Sequence, residues 1–173
     1  GGPVELSSRG LSIDDRTPPR LDLLQPLDGA LVDSPVPLRI EASDDDALAE
    51  VRYRIDDGSW VVLAPASGAY AAELALPDGS VRLEAQARDR SGNLSPVQSR
   101  QFTVDASAPE ILIEGVSADG LYGEPVRPQV RMLDAHPGEL QLRLNDQPWT
   151  SGEVVDRSGR YRLQARASDQ LGH

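Results

Sequence analysis

The stretch Val81-Arg82-Leu83-Glu84-Ala85-Gln86-Ala87-Arg88-Asp89 sets an apolar side chain at every second position and runs into Ser91-Gly92-Asn93. Alternation with a period of two is the mark of a β-strand with one face in a core, because successive side chains leave a strand on opposite sides. The same block returns as Arg162-Leu163-Gln164-Ala165-Arg166-Ala167-Ser168-Asp169, followed by Leu171-Gly172-His173. Further pairs fall into the same order. Arg54-Ile55-Asp56-Asp57 with Trp60 matches Arg143-Leu144-Asn145-Asp146 with Trp149, and Pro19-Arg20-Leu21-Asp22-Leu23 matches Pro109-Glu110-Ile111-Leu112-Ile113. A chain that repeats itself at a spacing of about 90 residues reads as an array of like units.

The remaining strands follow from the same alternation. It runs through Leu38, Ile40 and Ala42, through Val51, Tyr53 and Ile55, through Leu140, Leu142 and Leu144, and through Tyr161, Leu163, Ala165 and Ala167. Asp28-Gly29, Asp57-Gly58, Asp78-Gly79 and Ser91-Gly92 separate these runs as turns, and no segment has a helical period. The second copy is roughly ten residues shorter between its Trp149 and Arg162 blocks, where the first copy has an extra alternating run at Glu73, Leu74, Ala75 and Leu76.

Residues 6–14, Leu6 to Asp14, align with Val97 to Asp105 and so read as the closing strand of a preceding unit. The expected organisation is a last strand plus linker over 1–16, a complete domain over 17–105, and a second domain over 106–173 that stops one strand early. An open sheet edge invites a strand from elsewhere. Strand exchange between chains through residues 4–14 is therefore an expectation, beside contact with neighbouring repeats of the same protein.

In its second copy the chain runs Leu144-Asn145-Asp146-Gln147-Pro148-Trp149, then Ser158-Gly159-Arg160-Tyr161-Arg162-Leu163, then Asp169-Gln170-Leu171-Gly172-His173. The first copy keeps Asp89-Arg90-Ser91-Gly92-Asn93 but has Val81 where the tyrosine would stand. These motifs resemble the bacterial Ig-like domains strung together in large surface proteins, adhesins and multidomain secreted enzymes. The resemblance covers nearly the whole chain and implies an all-β fold of tandem Ig-like antiparallel β-sandwiches. It implies an extracellular, cell-surface or periplasmic setting in a bacterium, and a structural or adhesive role as a spacer or stalk. The alternative is an accessory module of a secreted enzyme that binds carbohydrate or protein. Tyr161, two residues before Leu163, is placed for a tyrosine-corner hydrogen bond or for an ordinary half-buried strand position.

Composition narrows the chemistry. The net charge is -11, and all 17 basic residues are Arg. Acid in that excess disfavours nucleic acid and anionic membranes as partners. With no Cys there are no disulfides, zinc thiolates or thiol nucleophiles, and with no Lys there is no lysine isopeptide cross-link. No run of about 20 apolar residues forms a membrane span, and no basic-then-apolar leader opens the sequence, so any export signal is expected outside residues 1–173.

The candidate site is acidic. In a sandwich of this kind the loops after the second strand and before the last lie where the chain enters. That gathers Asp14 and Asp15 with Asp44, Asp45, Asp46 and Asp89 at one end, and Asp105 with Asp134 and Asp169 at the other. Calcium takes six to eight oxygens, so carboxylates converging on a linker make it the candidate cation. The competing reading is that Asp89 and Asp169 cap their own turns and the rest are solvated. Catalysis has little support: His136 has Asp134 nearby but no serine in a nucleophile elbow, His173 stands in the last motif, and there is no phosphate-binding glycine loop, so no enzyme is expected. A glycan-binding role would need exposed rings among Trp60, Trp149, Tyr53, Tyr70 and Tyr122; Tyr53 alternates with core positions, and the paired tryptophans are expected to close the sandwich.

Overall fold

A computed structural model describes residues 15–45, 47–66 and 69–173. Among them every regular element is a strand, as the alternation predicts. In chain order these are β1 (Arg20–Gln25), β2 (Leu31–Val32), β3 (Val36–Ser43), β4 (Leu48–Ile55), β5 (Val61–Leu63), β6 (Pro65–Ala66) and β7 (Ala69–Leu74). They continue as β8 (Gly79–Asp89), β9 (Gln98–Val104), β10 (Glu110–Glu114), β11 (Gln129–Leu133), β12 (Pro137–Leu144), β13 (Gln147–Pro148) and β14 (Leu163–Asp169). Segment 4–14, to which the strand exchange was assigned, lies outside the described residues.

The chain divides into two compact units. One holds Pro37–Leu74 and Val81–Phe102 with the described residues up to Gly29; the other holds Ala30–Val36, Ala75–Ser80 and Thr103–His173. The short pieces join the later residues for a physical reason. The amide of Asp105 donates to Val32 O at 3.0 Å, and Asp78 accepts the amide of Ala106 at 2.8 Å.

The first unit is an antiparallel sandwich. Leu21, Leu23, Leu38, Ile40 and Leu74 come from a sheet ordered β1-β3-β7-β6, and Val51, Leu63, Val81, Leu83, Ala85, Ala87 and Phe102 from strands β4, β5, β8 and β9 of the facing sheet. All are buried, and they are the alternate residues of their strands. Burial of each such side chain contributes about 1.5–3 kcal/mol. The expected hairpin is present, with Val51 opposite Leu63 and Tyr53 opposite Val61 across β4 and β5. One pairing departs from the antiparallel rule: β2 runs parallel to β9, with Leu31 opposite Thr103 and Val32 opposite Val104.

In the second unit β10 pairs with β11, and β12 lies between β13 and β14. Its buried aliphatic side chains among the described residues are Val36, Val104 and Val130. Leu140, Leu142, Leu144 and Leu163 carry the same alternation as the first unit yet are only half-buried. The cause lies in the shortened segment: no described strand stands between β13 and β14 where β7 stands in the first copy. A turn is shared by both copies nonetheless. Asp56 N donates to Arg82 O and accepts Arg82 N on Oδ1 at 2.7 and 3.0 Å, and Asn145 does the same with Arg162 at 2.9 and 2.8 Å. Both turn residues have φ near +49°, which Asp and Asn tolerate better than most side chains.

Candidate functional site

The turn that leaves β8 is built on Asp89, whose side chain is buried. Its Oδ1 accepts Asn93 N at 2.8 Å and its Oδ2 accepts Asn93 Nδ2 at 2.7 Å. Burial works against the charge, but the Asn93 side chain and the amides of Asn93, Gly92 and Ser91 outweigh it and hold the carboxyl below its ordinary value. Asn93 Nδ2 also donates to Asp15 O at 3.1 Å. Asp15 in turn closes an Asx turn by accepting Thr17 N at 2.9 Å, and Thr17 Oγ1 donates to Asp45 Oδ2 at 3.2 Å.

Asp15, Asp44 and Asp89 lie together, with one carboxylate oxygen of each within 4.8 Å of the others. Asp15 Oδ2 is buried and accepts no hydrogen bond. Two of the residues assigned to this end by sequence, Asp14 and Asp46, lie outside the described residues. Asp105 Oδ1 accepts Ser107 N at 3.4 Å, the same i to i+2 bond that Asp15 makes with Thr17.

The counterparts Asp105, Asp134 and Asp169 do not form such a group; among the described residues only Asp15, Asp44 and Asp89 do. Each is engaged by a different donor set. Asp105, buried, places Oδ2 2.7 Å from His136 Nδ1. Asp134 Oδ1 accepts His136 N at 2.6 Å. Asp169 Oδ1 accepts the amides of Leu171, Gly172 and His173 at 2.9, 2.6 and 2.9 Å, while Oδ2 lies 2.7 Å from His173 Nδ1. Asp169 is thus the turn cap of the competing reading, with a histidine added.

One carboxylate here was not singled out from the sequence. Asp78 accepts Ala106 N on Oδ1 and Ser107 Oγ on Oδ2, both at 2.8 Å. The Ala106 amide, then the Ser107 hydroxyl, hold its carboxyl below the ordinary value. A partner 28 residues away leaves no local signal, and Asp78-Gly79 reads only as a turn.

The arrangement has a serine, an acid and a histidine near one another, but in the wrong order for acyl transfer. Ser107 Oγ bonds to the carboxylates of Asp78 and Asp105, and among the described residues no hydrogen bond joins it to His136. A relay requires the imidazole between hydroxyl and acid.

The aromatic residues are placed differently from expectation. Trp60 is half-buried, and the guanidinium carbons of Arg52 and Arg54 each lie 4.8 Å from its ring centroid. The ring and these arginines cover the outer face of β8, where Glu84 binds Arg54 and Arg82, and Gln86 accepts Arg52 at 2.7 Å. Trp60 therefore shields a polar ladder and does not close the sandwich core. Trp149 is likewise half-buried, as are Tyr53, expected in the core, and Tyr70. Tyr122 is 48% exposed, and its oxygen accepts Ser117 N at 2.6 Å. Tyr161 stands outside β14, 39% exposed, and donates to Arg157 O at 3.0 Å, four residues upstream, which is the bond of a tyrosine corner.

No helix among the described residues is long and apolar enough to cross a membrane. No curated protein sequence matches the chain significantly. Among solved structures, the endo-β-1,4-mannanase of Thermotoga petrophila is similar over 54% of this chain at 17% identity with a TM-score of 0.45, and this chain spans only 21% of that one. The fibronectin(III)-like modules of Clostridium thermocellum CbhA are 15% identical over 87% of this chain and 86% of theirs, with a TM-score of 0.40. The D00-D0 domain of intimin is 15% identical over 88% of this chain and 95% of its own, with a TM-score of 0.41. Residues 19–85 match the family model of the bacterial Ig domain. Over that stretch, which lies in the all-β sandwich, the chain is similar to a bacterial Ig domain.

Proposed function

We propose that the chain is a structural module of tandem Ig-like repeats, over 17–105 and 106–173, serving as an extracellular spacer or stalk in a larger bacterial surface or secreted protein. The observation that carries this reading is the hold on the connecting residues. Ala106 N and Ser107 Oγ are bonded to Asp78, Ser107 is bonded again to Asp105, and Asp105 is bonded to His136. A connection with its amide and hydroxyl fixed by two carboxylates bends less than a solvated one. Amide hydrogen exchange tests it directly: Ala106 exchanges slowly in the native chain and at near-solvent rate in Asp78→Ala, and fast exchange in both removes the basis for a stiff spacer.

A second reading is favoured by Asp15, Asp44 and Asp89. Three carboxylate oxygens within 4.8 Å, one belonging to a carboxylate whose Oδ2 is buried and unbonded, suit a hard cation such as calcium. A cation there would tie the residues before β1 to the turns after β3 and β8. The carbohydrate-binding alternative is less supported, because two guanidiniums occupy the ring of Trp60 that a sugar would need.

A further inference from the structure

The turns after β8 and β14 are the same device with one residue exchanged. In both, an aspartate accepts the backbone amide of the residue four positions on through Oδ1 and a side-chain nitrogen of that residue through Oδ2. In the first that residue is Asn93; in the second it is His173. Each side chain then reaches one further acceptor, the carbonyl of Asp15 for Asn93 at 3.1 Å and the carboxylate of Asp33 for His173, where Nε2 lies 3.3 Å from Oδ2.

The exchange alters the chemistry of the turn. An asparagine amide carries two hydrogens on one nitrogen and serves both acceptors at any ordinary pH. An imidazole with a carboxylate at each nitrogen serves both only as the doubly protonated cation, since either neutral tautomer turns a lone pair toward one of them. The two carboxylates are not equal in their freedom to leave. The side chain of Asp169 is fully buried and held by three amides, whereas that of Asp33 is 57% exposed.

We propose that the turn after β14 is a pH-operated latch, in which cationic His173 bridges Asp169 to Asp33 and neutral His173 keeps Asp169 but releases Asp33. The groups around it agree in sign. Asp169 lies on its own turn, Asp33 follows β2, and Asp78, ahead of β8, is close enough for His173 and His136 both to favour its charge. The other imidazole, His136, faces one carboxylate, Asp105, through Nδ1 and has Asp134 on its amide. The hydrogen bonds to Asp169 and then to Asp33 raise the His173 titration above the ordinary imidazole value. Burial opposes the Asp169 charge, yet the His173 amide and side chain lower its titration overall. The latch is therefore closed above the carboxylate range and below the raised imidazole titration, and it opens as pH rises through that point. The proposal does not depend on the spacer reading.

The test is nitrogen-15 NMR of the chain with labelled histidine, which distinguishes the imidazolium from each neutral tautomer. It is run also on a version extended by glycines past His173, so that the terminal carboxylate is not a factor. Expected are a His173 midpoint above about 6.5, its fall in Asp33→Asn, and Nδ1–H as the neutral tautomer. In His173→Asn, which installs the residue of the first turn, the fall of the urea midpoint expected of the native chain as pH rises through the raised His173 titration is absent. A His173 midpoint at or below the ordinary value, or one unmoved in Asp33→Asn, overturns the proposal. Since the Asp33 side chain is largely exposed, Asp33→Asn keeps the test decisive even where His173→Asn fails to fold.

Discussion

Asp78 and Ser107 are joined at 2.8 Å between Oδ2 and Oγ, while the other oxygen of the same carboxylate takes the amide of Ala106. The pair ties the turn before β8 to the residues that follow β9. Because the carboxyl titrates below its ordinary value of 3.8, the bond contributes stability that is fully present above that value and is lost as pH falls through the lower folded one. Urea unfolding between about pH 2.5 and 5 should show a weaker acid loss in Asp78→Asn than in the native chain. Parallel curves would remove Asp78 from the account.

The two units should respond unequally to core truncation. Phe102 is 2% exposed, so Phe102→Ala is expected to cost about 3–5 kcal/mol. Leu142 occupies an alternating position of the same kind but is half-buried, and Leu142→Ala should cost well under half as much. Equilibrium denaturation of both variants decides it, and equal losses would mean that β12 is better covered than its exposure indicates.

That inequality marks where the sequence was legible and where it was not. Alternation placed β3, β4, β8, β12 and β14 because it is local, and the paired blocks foretold the matching Asp56 and Asn145 turns. The depth of each core was illegible, because Leu142 and Val51 look alike in a strand and differ only in what lies across from them. Asp15, Asp44 and Asp89, which the sequence placed together where the chain enters, lie in one carboxylate group. Asp105 and Asp169 were read as cation ligands because the acids stand out in sequence, whereas the imidazoles that engage them arrive from 31 and 4 residues away.

Trp60 is expected to contribute through its arginines more than through the core. A double-mutant cycle between Trp60→Ala and Arg52→Ala should give a coupling of about 0.5–1 kcal/mol, the range for a partly exposed cation over an aromatic ring. A coupling of zero would reduce the ring to a hydrophobic cover.

Calcium should raise the thermal midpoint of the chain relative to EDTA, by an amount that grows with concentration as binding to the native state requires. The gain should vanish in Asp15→Asn and in Asp44→Asn, which leave the Asp89 turn bonded to Asn93, and survive in Asp134→Asn. A native melt indifferent to calcium would leave the three carboxylates as a solvated group.

Stiffness is the central claim, and the absence of cysteine makes it measurable, since cysteines introduced at exposed Ser59 and Ser158 would carry the only spin labels. Pulsed electron paramagnetic resonance then reads the distribution of distances between them. A single narrow distribution in the native chain that broadens in Asp78→Ala is the predicted result; a broad native distribution, unchanged by the substitution, would contradict a spacer whose connecting residues are held.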